Sequence, residues 1–213
     1  MPVLERQAAI RIPSPGRLRR KRLFDMVCAA LGLLVLSPVL LVCALLVDLT
    51  SPGGVLFRQE RVGKDGIPFT IYKFRSMRKD NAGLKISTSD DSRITPVGRV
   101  LRKAKLDELP QLWNVLKGDM SFVGPRPEVK EYTSLYTPEQ RQVLLVRPGI
   151  TGLASIRYRN ENDLLSASAD PNRTYIEEVM PAKLTLDLEY IPRACVSYDI
   201  KLILETLVTV MRD

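Results

Sequence analysis

The chain has 213 residues, 45% of them hydrophobic, which is enough for one core of ordinary domain size and too apolar for a disordered polymer. Its net charge of +8 suits an anionic partner, whether nucleic acid, acidic lipid or a phosphorylated substrate. The absence of histidine excludes imidazole-dependent triads and His-rich metal sites, and three cysteines without a CxxC pair argue against a zinc site or a disulfide framework.

A basic segment precedes a long apolar block. Residues 1–22 contain the cations Arg17, Arg19, Arg20, Lys21 and Arg22 and are predicted to form a mobile arm. The block runs from Val27 to Val47 and is interrupted only by Ser37-Pro38 near its middle. Proline lacks an N–H group and clashes with the carbonyl four residues earlier, so the helix is predicted to break there. Each half has about 10 residues and reaches roughly halfway through a bilayer's hydrocarbon layer.

Four interpretations of this block compete. A cleaved signal peptide is disfavoured because its apolar region is usually about 7–15 residues long, and a buried core helix is disfavoured by the length of the run. A kinked spanning helix should carry its cations on one side, yet Arg58, Arg61 and Lys64 follow the block as the arginines precede it. A re-entrant helix–break–helix over residues 23–48 is therefore preferred to the kinked span, with Ser37 as a partner for the freed carbonyls.

The next residues have the patterns of a small hairpin and of short helices. Val55–Arg61 and Phe69–Phe74 are rich in aromatic and β-branched residues and flank a Gly-bounded turn, which predicts a β-hairpin. The polar residues 79–92 are predicted to form a loop. Helices are predicted over residues 97–103 and 107–116.

Two more helices are predicted towards the C-terminus. Thr137-Pro138-Glu139-Gln140 is a capping box with proline at the first helical position, so a helix should begin there. An amphipathic helix is predicted from near Ser197. Its apolar stripe consists of Ile200, Ile203, Leu204, Leu207, Val208 and Met211. Such a stripe is usually core, although in a membrane-anchored protein contact with lipid is about equally expected.

Two adjacent carboxylates form the first candidate site. Asp107 and Glu108 lie just before Pro110, and proline is tolerated only in the first turn of a helix, so both acids should lie at a helix N-terminus. An ordinary N-cap explains them on local sequence alone. A cationic setting favours chemistry instead, because an ionised aspartate near cations can attack phosphorus and a glutamate can hold Mg²⁺. The preceding cations are Arg99, Arg102, Lys103 and Lys105.

Arginines in Pro/Gly turns form the second candidate site. Arg126 lies between Pro125 and Pro127, and a guanidinium on a stiff backbone loses little entropy when it binds a phosphate with two hydrogen bonds. A tight turn with a solvated arginine is the alternative. Arg147, before Pro148, is a further phosphate-binding candidate.

Several segments, in this order, resemble the small monotopic phosphoglycosyl transferases, which are bacterial sugar transferases. They are Lys21-Arg22-Leu23-Phe24-Asp25, the apolar block with Ser37-Pro38, Tyr72-Lys73-Phe74-Arg75-Ser76-Met77, Leu106-Asp107-Glu108-Leu109-Pro110-Gln111, Gly118-Asp119-Met120-Ser121-Phe122-Val123-Gly124-Pro125-Arg126-Pro127 and Arg147-Pro148-Gly149-Ile150-Thr151-Gly152. The resemblance extends from about Lys21 to the C-terminus. We therefore expect an α/β fold, mostly helical with a small β-hairpin, in which a cytoplasmic catalytic domain with amphipathic interfacial helices occupies residues 49–213.

The resemblance also implies roles for individual residues. Asp107 corresponds to the family's nucleophile and Glu108 to a Mg²⁺ ligand. Family arginines that bind substrate phosphate correspond to Arg102 and Arg126, and a late aspartate corresponds to Asp187, a second candidate metal ligand.

The implied reaction moves a sugar-1-phosphate from a UDP-sugar to polyprenyl phosphate, with UMP released and a covalent aspartyl intermediate. The reaction would occur at the cytoplasmic face of the bacterial inner membrane. The protein would contact membrane lipids there, and an oligomer is compatible with the resemblance. Both nucleophiles are anionic near neutral pH, so no histidine base is needed.

One segment departs from the family pattern. Many relatives have Trp-Ala-Gln-Val and Asn-Gly-Arg-Asn where this chain has residues 153–160, so the resemblance does not specify the sugar. A rival hypothesis is a membrane-surface scaffold that binds acidic lipids, which would give the Asp-Glu and Pro-Arg-Pro segments no role. A nucleic-acid binder is disfavoured because no recognised motif appears.

Overall fold

The computed structural model describes residues 10–51, 53–78 and 91–211. Its α-helices are α1 (Pro15–Val35), α2 (Ser37–Thr50), α3 (Pro96–Lys103), α4 (Gln111–Lys117), α5 (Lys130–Thr133), α6 (Leu153–Arg157), α7 (Glu161–Ser166), α8 (Pro171–Thr174), α9 (Met180–Tyr190) and α10 (Val196–Met211). The strands are β1 (Leu56–Val62), β2 (Pro68–Phe74), β3 (Ser121–Val123) and β4 (Gly149–Thr151). The fold is thus mostly helical with a small antiparallel hairpin, as predicted. Of the predicted loop over residues 79–92, residues 79–90 lie outside the described residues.

The predicted break in the apolar block is confirmed. Helix α1 ends at Val35, α2 begins at Ser37, and the two helices are bent by 63°. Pro38 cannot donate the helical hydrogen bond to the carbonyl of Leu34, four residues earlier. The Ser37 hydroxyl donates to that carbonyl instead, at 2.8 Å. The serine thus satisfies the group that the proline leaves free.

The α1–α2 pair exposes much of its apolar surface. The most exposed of these side chains are Leu34 (72%), Val35 (71%), Leu41 (71%) and Leu49 (73%). These exposures exclude a buried core helix. Within the described residues no single helix has the length and apolarity to cross a membrane, whereas the bent pair together has those of a broken span or a re-entrant loop.

The predicted mobile arm is wrong for the residues that the structure describes. Helix α1 begins at Pro15, where proline is favoured, so Arg17–Arg22 form its first turns. Lys21 is buried at 8% exposure, and Arg22 donates to the carbonyls of Val115 (2.5 Å) and Leu116 (2.8 Å). Residues 15–22 therefore belong to a helix whose cations contact the rest of the protein. Residues 1–9 lie outside the described residues.

The four strands of the described residues form two small sheets. Strands β1 and β2 pair antiparallel from Leu56↔Phe74 to Val62↔Pro68, which confirms the predicted hairpin. Strands β3 and β4 pair in parallel, a feature that the sequence did not predict because three-residue strands carry no readable alternation. Gly149 is required there, since a Cβ atom on it would lie 2.1 Å from the backbone nitrogen of Gly124.

Two helix predictions need adjustment. The helix predicted over residues 107–116 begins at Gln111, after a 3₁₀ turn at Leu106–Glu108. The capping box forms, with reciprocal hydrogen bonds of 2.9 and 3.2 Å between Thr137 and Gln140, but it begins a 3₁₀ helix. Helix α10 forms as predicted.

The apolar stripe of α10 faces outward. Leu204, Leu207 and Met211 are 56%, 53% and 78% exposed, whereas the fully buried residues of the helix are Asp199 and Leu202. The stripe is therefore not part of the core, although the core is the more usual place for such a stripe.

Candidate active site

Asp107 and Glu108 lie in the 3₁₀ turn that joins α3 to α4. Lys105, in the left-handed conformation at φ 56°, reverses the chain just before them. Helix α4 packs on α1, where a Cβ atom at Gly32 would lie 3.3 Å from Leu112, and α3 packs on α2 through Leu101 and its neighbours. The two acids therefore lie between helices that both contact the bent apolar pair.

Glu108 is neutralised by two cations from distant parts of the chain. Its Oε1 accepts hydrogen bonds from Lys73 Nζ of β2 at 2.7 Å and from Arg126 Nη2, in the loop after β3, at 3.0 Å. Burial raises the pKa of the Glu108 carboxyl, but the charges of both cations outweigh burial and hold the pKa well below its usual range. Glu108 is thus ionised at any physiological pH.

Asp107 has the opposite electrostatic character. Its side chain is buried at 7% exposure, and Oδ1 has no hydrogen-bond partner among the described residues. Burial, and next the charge of Glu108, raise the pKa of the Asp107 carboxyl to about 6. The cations that oppose this rise are Lys73, Lys105 and Arg102. Asp107 is therefore an anion near neutral pH, but one whose charge is poorly stabilised, as suits a nucleophile.

Arg102 completes the predicted group. Its charge lowers the pKa of Asp107, and its buried Nη1 atom has no hydrogen-bond partner among the described residues. Buried polar atoms without partners are rare in folded proteins. An unsatisfied donor on Arg102 and an unsatisfied acceptor on Asp107 fit a site that binds a charged ligand.

Asp107 could serve as a magnesium ligand beside the predicted ligands Glu108 and Asp187. Mg²⁺ is commonly held by one or two carboxylates together with water and substrate phosphates, and Asp107 supplies an unpartnered oxygen. Within the residues that the structure describes, no three acidic or cysteine side chains form a closed metal site.

Asp187 lies beside the backbone of the loop that carries Arg126. It is buried on α9, and its carboxylate accepts the backbone N–H of Arg126. Burial raises the pKa of Asp187 to about 8, aided by the charge of Glu128 and opposed by Lys183. Asp187 thus supports the backbone that carries Arg126.

Arg147 also lies away from the acids. Its Nε donates to the carbonyl of Gly118 at 2.8 Å, beside Arg22. Gly118 is the left-handed residue that ends α4, whereas Asp107 and Glu108 precede the start of that helix. The seven residues of α4 separate the two ends by about 10 Å. A cation at a helix C-terminus satisfies free carbonyls, so Arg147 acts as a cap of α4.

Sequence reasoning assigned no role to Lys73, or to the residues that hold the Arg126 loop. Arg61 donates to the carbonyl of Pro127 at 3.2 Å and to Glu128 at 3.3 Å, and the Tyr175 hydroxyl donates to Glu128 at 2.5 Å. The available signal for Lys73 was a single lysine between the aromatic residues of a predicted strand.

Comparison with known proteins gives the family of this chain. Residues 17–213 match the family described as bacterial sugar transferase. A Caulobacter vibrioides protein named UDP-glucose:undecaprenyl-phosphate glucose-1-phosphate transferase is 42% identical over 193 residues, which cover 88% of this chain and 68% of the relative. An Aeromonas hydrophila protein named UDP-N-acetylgalactosamine-undecaprenyl-phosphate N-acetylgalactosaminephosphotransferase is 38% identical over 212 residues, covering 97% and 47%.

A third relative has nearly the length of this chain. The exopolysaccharide production protein PSS of Rhizobium leguminosarum bv. phaseoli is 40% identical over 198 residues, covering 89% of this chain and 94% of the relative. The chain therefore spans about half of the Aeromonas protein, about two thirds of the Caulobacter protein and nearly all of the Rhizobium protein. With a family match over almost its whole length, the chain belongs to the bacterial sugar transferase family, whose members are transferase enzymes.

Proposed function

We propose that this protein transfers a sugar-1-phosphate from a UDP-sugar to polyprenyl phosphate at the cytoplasmic face of the bacterial inner membrane. The observation that carries the proposal is the contrast within the acid pair. Glu108 is held ionised by Lys73 and Arg126, whereas Asp107 is buried with a raised pKa and one oxygen that has no partner among the described residues. Such a pair suits one stable anion and one reactive nucleophile.

The first step uses Asp107 as the nucleophile. One of its carboxylate oxygens attacks the phosphorus that bears the sugar, an acyl-phosphate bond forms, and the bond from that phosphorus to the bridging oxygen breaks. UMP leaves with the electron pair. In the second step an oxygen of polyprenyl phosphate attacks the same phosphorus, and the Asp107 carboxylate leaves. No proton is consumed in either step, in agreement with the absence of histidine.

Cations around the acids would stabilise the transferring phosphoryl group. The Arg126 side chain is 37% exposed and uses one nitrogen for Glu108, which leaves other N–H donors for phosphate oxygens. Arg102, whose charge acts on Asp107, has a buried donor without a partner among the described residues. Mg²⁺ held by Asp107 and Glu108 would neutralise phosphate charge, the main catalytic demand in phosphoryl transfer.

The surroundings of the acids favour a lipid acceptor. Both helices that flank the acid pair contact the α1–α2 pair, and Trp113 on α4 is 51% exposed, as is common for an aromatic side chain at a membrane interface. The outward-facing stripe of α10 adds a second apolar surface, which suits a helix lying in the interface.

Membrane topology can be tested separately. Both ends of the α1–α2 pair contact the rest of the protein, through Arg22 at one end and Val47 at the other. We therefore propose that the pair is a re-entrant hairpin. In a background without the native cysteines, Ile12→Cys and Ile67→Cys should both resist a membrane-impermeant maleimide in intact spheroplasts and react after lysis. Labelling of one position alone in intact spheroplasts would favour the kinked span.

Activity is tested by UMP release from the detergent-purified chain with undecaprenyl phosphate. The donor panel should contain UDP-glucose and UDP-N-acetylgalactosamine, because the names of two relatives specify these sugars. Without acceptor, intact-protein mass spectrometry should detect one added sugar phosphate on Asp107. A lipid-binding scaffold would release no UMP with any donor. Turnover without an adduct under trapping conditions would instead support direct attack by the lipid phosphate.

A further inference from the structure

Four buried polar side chains lie together away from the acid pair. Lys21 and Asp25 are one turn apart on α1, Tyr190 ends α9, and Asp199 is on α10; their exposures are 8%, 1%, 1% and 0%. Lys21 is paired with the Asp199 carboxylate, whose Oδ1 also accepts from the Tyr190 hydroxyl at 2.7 Å. We refer to these four residues as the α1 cluster. The proposed chemistry does not use them.

Residues of the α1 cluster form hydrogen bonds with the backbone of strand β3. Lys21 Nζ donates to the carbonyl of Val123 at 3.0 Å, and the Tyr190 hydroxyl lies 3.1 Å from the same oxygen. Asp25 Oδ1 accepts the N–H of Phe122 at 3.2 Å. Two side chains of α1 therefore bind two consecutive residues of the strand.

Strand β3 leads directly to Arg126. The N–H of Gly124 donates to the carbonyl of Thr151 at 3.0 Å, and the N–H of Arg126 donates to the Asp187 carboxylate. The backbone from residue 122 to residue 126 is thus held by α1 first, then by the end of β4, then by α9. Its last side chain reaches Glu108. A displacement of β3 relative to α1 would therefore move Arg126.

Packing alone does not require charges at this place. A buried ion pair costs several kcal/mol of desolvation per ion, and apolar residues of similar volume often stabilise a fold equally well. Two carboxylates and one ammonium group fix a particular geometry, because each of their hydrogen bonds has a direction. The contacts of the α1 cluster set the position of β3 along α1.

We propose that Lys21 and Asp25 are positioning residues that hold Arg126 against Glu108 by anchoring β3 to the apolar hairpin helix. The inference rests on the proposed function and explains the position of the Lys-Arg-x-x-Asp segment at the start of the hairpin. Misplacement of a catalytic group by about 1 Å can cost about 10²-fold in rate. Loss of the Lys21 contact should therefore lower kcat far more than it changes the KM for the UDP-sugar.

The matched control is Arg17, one turn before Lys21 on the same helix. Its guanidinium also donates to a backbone carbonyl, that of Arg193 at 3.1 Å, and among the described residues it has no hydrogen bond to β3. We expect Lys21→Met to lower kcat by about 10- to 100-fold, whereas Arg17→Met changes kcat by less than about 2-fold. Lys21→Arg, which keeps a donor, should recover part of the loss. Tyr190→Phe is a milder variant of the same cluster if Lys21→Met does not fold.

A double-mutant comparison separates positioning from general destabilisation. If Lys21 acts through Arg126, then Lys21→Met should add less than about 2-fold to the loss already caused by Arg126→Ala. If the losses in kcat of the two single variants multiply in the double variant, the two residues act independently and the inference is overturned.

Hydrogen exchange decides the point without activity. Lys21→Met should speed exchange of the amides of residues 122–126 more than exchange elsewhere in the chain, relative to the wild type and to Arg17→Met. Absence of UMP release in the wild type would contradict the proposed function, while these exchange rates would still test the positioning role. Unchanged exchange at residues 122–126 would overturn that role even in an active enzyme.

Discussion

Two groups of buried charges in this protein differ in how completely their atoms are satisfied. In the α1 cluster, Lys21, Tyr190 and Asp199 bond to one another or to backbone, and none is more than 8% exposed. Around the acid pair, buried atoms of Asp107 and Arg102 have no hydrogen-bond partner within the part of the chain that the structure describes. A satisfied cluster contributes structure, whereas an unsatisfied one retains charge for a ligand at a cost in stability.

The comparison predicts opposite effects of neutralising one aspartate in each group. Asp107→Asn should lower turnover by at least about 10³-fold, because a neutral amide cannot attack phosphorus, and should abolish the covalent adduct. The same variant should raise the Tm by a few degrees, since it removes a poorly stabilised buried anion beside Glu108. UMP release, intact mass and thermal unfolding measure the three effects. An adduct that survives in this variant would overturn the assignment of the nucleophile.

Asp199→Asn should lower the stability of the fold, in contrast to Asp107→Asn. It leaves the buried Lys21 ammonium without its anionic partner, so the free energy of unfolding should fall by about 3 kcal/mol. Chemical denaturation of the detergent-solubilised protein measures this change. A loss below about 1 kcal/mol would mean that the α1 cluster is tolerated as an ion pair and does not stabilise the fold.

The contrast between the two groups was only partly readable from the sequence. Asp107, Glu108 and Arg126 were identifiable because each lies in a short motif with its own local chemistry. Lys73 was not, because its contact with Glu108 joins positions 35 residues apart and depends on how β2 packs against the 3₁₀ turn. Lys21 was assigned to a mobile arm for the same reason, since its partner Asp199 is 178 residues away.

The fold was predictable where local pattern decides it. The β1–β2 hairpin, the break at Pro38 and helix α10 followed from alternation, proline stereochemistry and a 3.6-residue period. The outward face of α10 did not follow, because a hydrophobic period identifies a face but not the medium that it meets. The β3–β4 pair was missed since each strand has only three residues.

Arg126→Lys tests whether the exposed part of the acid-pair site binds phosphate. Lysine keeps the charge beside Glu108 but loses the planar fork of donors, so kcat/KM should fall by about 10- to 100-fold with little change in Tm. Arg147→Lys is the matched control, because Arg147 caps α4 at its far end, and it should retain activity within about 3-fold. Equal losses in both variants would return Arg147 to the phosphate-binding group.

The stability gain predicted for Asp107→Asn should depend on pH in a defined direction. The pKa of Asp107 is about 6 in the folded protein, above the value of about 3.9 for an unperturbed aspartate, so the folded state binds the proton more tightly than the unfolded state. Above pH 6 the wild type bears the cost of a buried anion, up to about 3 kcal/mol, which the asparagine variant lacks. As the pH falls through 6 towards 4, the wild-type carboxyl is protonated in the folded state and this cost disappears. In EDTA, the difference in Tm between Asp107→Asn and the wild type should therefore be largest near pH 7.5 and small near pH 4.5. At pH 7.5 the other variant, Asp199→Asn, should be less stable than the wild type. A difference in Tm for Asp107→Asn that stays constant from pH 7.5 to 4.5 would show that Asp107 is not the strained anion of the pair.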